Sequence, residues 1–178
     1  MPVPWASEVI DFWFSLDPKQ WWKADPALDE EVRERFVDLW HSEQRRPVAD
    51  FIGSPQDALA AVILLDQFPR NMHRGHGDSF ATDHMALAIA KGAVERGDEE
   101  QLTPAERGVL YMPFQHSEDI EDQRRSVALF TALGGDQLGF AKKHHDVIER
   151  FGRFPHRNTI LGRTPRPDEL AAGDVTPW

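Results

Sequence analysis

Apolar and polar positions alternate with helical period along most of the chain. Residues 26–45 put Leu28, Val32, Phe36 and Leu39 on one stripe and leave Glu30, Glu31, Arg33, Glu34 and Arg35 to face water. Residues Ala58–Leu65 break that pattern with an uninterrupted apolar run, ALAAVILL. A helix that is apolar all round is surrounded by other helices, so this segment is predicted to be the central one. Start signals fall at Asp25-Pro26, Ser54-Pro55 and Thr103-Pro104, each a capping side chain before a proline in the first turn. Thr103 and Glu106 have capping-box spacing. Gly53, Gly97, Gly134-Gly135 and Gly152 read as stops. These signals predict helices near 7–15, 26–45, 55–68, 79–96, 104–111, 117–133 and 136–151. No stretch alternates as a strand does. The expectation is an all-α protein of antiparallel helix pairs: one domain over residues 1–163, then a proline-rich tail over 164–178 that is extended or partly ordered.

Composition narrows the function. The chain has 178 residues, 30 acidic and 20 basic, for a formal net charge of −10. An acidic surface repels a phosphate backbone, so nucleic-acid binding is not expected. Five arginines between Arg150 and Arg166 have no acid among them, a local positive patch suited to one small anion. There is no cysteine, which excludes disulfides, thiolate metal sites and a thiol nucleophile. No run of about 18 apolar residues suggests a membrane span. The first residues lack the pattern of a signal peptide, and the expected location is cytoplasmic. No phosphate-binding glycine loop, dinucleotide fingerprint or serine-hydrolase elbow is present, and no cofactor is expected. The tryptophans crowded into the first quarter read as core anchors.

Three polar segments stand at the ends of otherwise apolar helices. DQFPRN contains Asp66, Arg70 and Asn71, with Asp66 on the face of the central helix. A buried acid is costly unless paired. Arg70 is four residues away, but Pro69 threatens the intervening helix. FQHSED contains His116, Glu118 and Asp119; His116, Asp119 and Gln123 share a stripe that could wall a pocket. FGRFPHRN contains Arg153, His156, Arg157 and Asn158, a cluster of donors suited to gripping a carboxylate or oxyanion. Just before it, His144 lies on the apolar stripe Phe140, His144, Val147, Phe151.

These segments resemble the domain of unknown function 924 family, mostly bacterial, along nearly the whole chain. The matching stretches are WWKADPALDEEVRERF, ILLDQFPRNMHRG, SFATDHMAL, LYMPFQHSEDIEDQ and AKKHHDVIERFGRFPHRNTILGR. Leu28 stands where the family usually has phenylalanine, and LAAGDVTPW lacks the usual continuation. The resemblance implies a tetratricopeptide-like, right-handed stack of helix pairs. It implies no reaction.

Four functional readings remain. In the first, one cleft binds a small anionic molecule. Asp66, Arg70, Asn71, Glu118, His144, Arg153, Arg157 and Asn158 contact it, while His116, Asp119 and His156 supply acid–base chemistry. In the second, a scaffold grips a peptide carboxylate. In the third, His116, His144, His145 and His156 hold a metal with Asp66 or Asp119, against which stand the nearby arginines and the lack of a metal motif. In the fourth, the segments are a purely structural polar network.

Overall fold

The computed structural model describes residues 3–178. Its regular elements are helical throughout, with no strand among the described residues. The chain divides into two compact units, Met1–Leu110 and Tyr111–Trp178.

The first unit contains α1 (Ala6–Ser15), α2 (Pro26–Glu43), α3 (Pro55–Val62), α4 (Phe68–Met72) and α5 (Asp83–Glu95). The expected caps form. Asp25 accepts hydrogen bonds from the Ala27 and Leu28 amides, and Ser54 accepts one from Asp57. The residues of α3 from Ala58 onward are wholly buried, as a helix apolar all round must be. It packs against α1 and α5, while α2 packs against α4. An aromatic cluster links these layers. Phe36 and Phe68 stack at 4.5 Å, and Phe12 meets both edge-on at 5.1 and 5.8 Å. Burying each such ring contributes about 1.5–3 kcal/mol. Trp13 and Trp40 are core residues as expected, whereas Trp22 is exposed. The buried stripe of α2 ends on Trp40, and Leu39 is only half-buried.

The central segment does not stop at Pro69. Residues Ile63–Gln67 form a π-turn in which the Phe68 amide donates to Ile63 O, and α4 carries the chain on to Met72. The physical difficulty at Pro69 is specific. Leu65 O would normally accept from residue 69, and proline has no N–H. Thr82 Oγ1 donates to Leu65 O instead, at 2.6 Å. The same hydroxyl accepts from Trp40 Nε1 at 3.0 Å. A wider turn and one buried threonine therefore keep the helix going through a proline.

Helix α6 (Pro104–His116) starts in the first unit, where Thr103 and Glu106 form the reciprocal capping box. It was expected to end before Pro113; it runs through that proline to His116. The second unit continues with α7 (Ile120–Leu133), α8 (Gln137–Phe151) and α9 (Pro167–Ala172). Helices α7 and α8 pack side by side. The turn between them contains Gly134 and Gly135, both at positive φ, which a side chain would strain. Helix α7 begins at Ile120, not Ser117, because Asp119 is its cap and accepts from the Glu121 and Asp122 amides. The proline-rich tail contributes α9 and several buried contacts, described below.

Candidate functional site

The three polar segments fall in different units. DQFPRN lies in the first, and its side chains are paired there. Asp66 is fully buried and accepts from Gln67 Nε2 at 2.5 Å. Arg70 Nη1 lies 3.4 Å from the Asp66 carboxylate, and the guanidinium grips Asp83 bidentately at 2.8 and 3.0 Å. Burial works against the Arg70 charge, but Asp66 and Asp83 raise its pKa further above the ordinary value. Asn71 donates to Asp29 at 2.8 Å, and Arg74 holds the same carboxylate bidentately. Pro69 does not separate Asp66 from Arg70, because the π-turn lets the helix continue and brings the two together.

FQHSED and FGRFPHRN both lie in the second unit, where most of their donors are matched to acids of the same unit. Glu118 accepts from Arg163 through two contacts, at 2.7 and 3.0 Å, and from the Phe154 amide at 2.7 Å. Burial alone would raise the Glu118 pKa; the Arg163 and Phe154 donors outweigh it and hold the carboxyl below its usual value. Arg153 grips Glu169 on α9 bidentately, at 2.5 and 2.8 Å. Asn158 Nδ2 and the Arg166 amide also donate to Glu169. The Arg153 hydrogen bonds dominate in depressing the Glu169 pKa to about 2. Asp119 is exposed and serves as the α7 cap. Gln123 is fully buried, and its amide nitrogen reaches Gln115 O at 2.8 Å and Ser117 O at 2.6 Å, with Phe114 O at 3.4 Å. It closes the carbonyl end of α6.

Three imidazoles and one guanidinium form the remaining cluster. His116 ends α6, His144 faces it from α8 with ring centroids 6.4 Å apart, and His156 sits in the short turn Pro155–Arg157. Phe154 is fully buried among them, 5.5 Å from the rings of both His144 and His156. The Arg157 guanidinium lies over the other part of this core, 4.6 Å from the Phe154 ring centroid, and donates to His116 O at 3.1 Å. His144 Nδ1 is 2.8 Å from Phe140 O. A carbonyl only accepts, so Nδ1 carries the proton and Nε2 presents a lone pair. Burial pushes the His144 pKa down to about 3; His116 and Arg157 add to the fall, and the Phe140 bond opposes it. His156 falls to about 4, again through burial first and the Arg157 charge second. Both rings are therefore neutral near pH 7. His156 Nδ1 is buried with no hydrogen-bond partner among the described residues.

His145, Asp146 and Glu149 bring donor atoms within 4.8 Å of one another, the only such metal-capable group among the described residues. Its two acids are exposed on α8, and of the four histidines expected to share a metal it includes His145 alone.

The family of bacterial proteins of unknown function numbered 924 matches residues 9–172. The chain belongs to that family. A solved structure of a protein of unknown function from Agrobacterium tumefaciens is similar over 94% of this chain and 95% of its own, at 40% identity and a TM-score of 0.88. No curated protein matches. No helix among the described residues is long and apolar enough to cross a membrane.

Two site features escaped sequence reasoning. Glu169 lies in a segment taken for a tail, although Arg166-Pro167-Asp168-Glu169 carries the spacing of a helix start. Trp178 packs on the histidines, and nothing in its neighbourhood along the chain signals that contact.

Proposed function

We propose that the second unit binds a small anionic ligand at the cluster of His116, His144, His156 and Arg157. The observation that carries this reading is the sign of the local field. Beyond burial, positive charge lowers both rings: His116 and then Arg157 act on His144 against the Phe140 hydrogen bond, and Arg157 acts on His156, where Glu118 offsets part of the effect and Arg163 adds to it. A site that penalises a further cation favours an anion by the same electrostatics. Neutral His156 can donate one hydrogen bond to such a ligand without a charge cost, whereas His144 spends its only proton on Phe140 O. At about 3 and 4, the two histidines are poor general bases near pH 7. An anion bound beside His156 would raise its pKa toward the range where proton transfer is efficient, so binding precedes any acid–base role.

A second reading has its own observation. Arg153 and Arg163 each spend a bidentate grip on a glutamate of the same unit. That pairing supports a structural role for these two residues, with Glu118 and Asn158 in the same network. The peptide-carboxylate scaffold is less favoured, because Trp178 already lies on the imidazoles.

The test is calorimetric titration of inorganic phosphate and acetate into the intact chain, Arg157→Gln and Arg153→Gln. Anion binding predicts saturable heat that Arg157→Gln abolishes. Arg153→Gln should lower stability and retain the binding. If no anion binds, or both variants lose binding only in proportion to lost stability, the site is structural.

A further inference from the structure

The segment after α9 makes an unexpected contact. The chain leaves α9 through Gly173 at φ +71°, a conformation that disfavours any side chain. The Thr176 amide then donates to Asp174 Oδ1 at 2.9 Å, making a tight turn, and Pro177 is buried. This turn delivers the Trp178 indole onto the histidines. The ring meets His156 edge-on at 4.7 Å and His144 at 6.2 Å with a 38° tilt. It remains 68% exposed, so only one side of it is covered.

The largely exposed ring is held through its contacts with the histidines and by the buried Pro177 before it. It sits against two neutral imidazoles backed by the buried Phe154 ring, a cluster of mutually inclined rings that an aromatic partner meets by its edge or at a tilt. The guanidinium of Arg157 lies over the same Phe154 ring. The aromatic cluster and a cation thus share one buried residue.

We propose that Trp178 is a stand-in occupant of this site, and that the site takes a planar aromatic acid whose ring replaces the indole and whose carboxylate is held by Arg157. This rests on the anion-binding reading above and adds the class of ligand. The ligand's ring lies against His156 and His144 as the indole does. Its carboxylate reaches the positive field that Arg157 supplies. Segment Asp174–Trp178 competes with the ligand and swings away when it binds. Covering about a third of an indole contributes modestly, so its competition weakens binding by roughly tenfold.

The probe is indole-3-acetate, with acetate and neutral indole as its two halves. Binding is read from the histidine ring signals of His144 and His156 by NMR in the intact chain, Trp178→Ala and a chain ending at Gly173. Because Trp178 is largely exposed, the substitution is expected to leave the fold intact, and the shorter chain checks it independently. The expected result is that indole-3-acetate shifts both histidines, binds about tenfold more tightly to either variant, and binds better than acetate or indole. Equal affinity for the intact chain and both variants overturns the proposal, as does acetate binding as well as indole-3-acetate. The two readings separate cleanly. If acetate and phosphate bind through Arg157 with no gain from the ring, the ligand class fails and anion binding stands. If neutral indole binds the variants as well as indole-3-acetate and no simple anion binds, the reading of Arg157 as the carboxylate's partner fails.

Discussion

Replacing Gln123 tests how the second unit is held together. Its amide nitrogen has two hydrogens, and the two short contacts, to Gln115 O and Ser117 O, use both. The 3.4 Å contact to Phe114 O is marginal. Gln123→Leu keeps the approximate volume and removes the donor. Two hydrogen bonds are worth about 1 kcal/mol each, and carbonyls left without a donor cost about as much again, so the loss should be about 2–4 kcal/mol. Gln123→Glu keeps the shape and puts carboxylate oxygens against carbonyl oxygens. At pH 7 its loss should exceed that of leucine, because an unpaired charge is buried as well. The pH dependence has a definite sign. Such a glutamate has a folded pKa above its unfolded value of about 4.3. Both states hold the proton below that value, and the penalty develops as pH rises above it. The deficit of Gln123→Glu relative to the parent should therefore shrink between pH 7 and pH 4. Urea unfolding followed by far-ultraviolet circular dichroism measures each midpoint. A leucine variant within 0.5 kcal/mol of the parent, or a glutamate variant with a pH-independent deficit, would show that Gln123 does not close α6.

Three further outcomes follow from the same contacts. Thr82→Val deprives Leu65 O and Trp40 Nε1 of their shared hydroxyl; it should cost about 2–4 kcal/mol in urea unfolding, and a loss under about 0.5 kcal/mol would mean the π-turn does not depend on it. Glu169 has its pKa lowered from 4.5 to about 2, so its contribution to stability is complete above pH 4.5 and disappears as pH falls from there to about 2. Glu169→Gln should flatten that part of the urea-midpoint profile, and an unchanged slope would assign acid sensitivity elsewhere. Trp178→Ala should raise the His156 pKa above about 4 by restoring water to the ring. Arg157, Arg163, His116 and Glu118 act on His156 from the same unit, and Asp174 lies near enough to feel its charge. NMR titration of the His156 ring signal measures the shift, and an unchanged value would mean the indole does not shield it.

The local rules of helix formation were legible in the chain alone. Asp25, Ser54 and Thr103 cap the helices they precede, and Gly97 and Gly152 take the left-handed conformation just after α5 and α8. The central place of Ala58–Leu65 followed from the absence of any polar face. Each of these depends on residues a few positions apart, whose geometry the helix itself supplies. The candidate segments were also recognisable, because donors in excess of helix capping are visible as composition. Their partners were not. Pro69 and Pro113 were expected to stop helices, and neither does. In the first case the missing N–H is answered by Thr82, seventeen residues along the chain from the Leu65 carbonyl it bonds. Arg153 is matched by Glu169, Glu118 by Arg163 forty-five residues away, and His156 by Trp178. Helical periodicity says which face a side chain occupies, while tertiary packing decides which other face it meets. That is why the sequence alone determined the helices and the polar clusters, and why only the folded second unit decided which arginines are held by glutamates and which histidines lie under an indole.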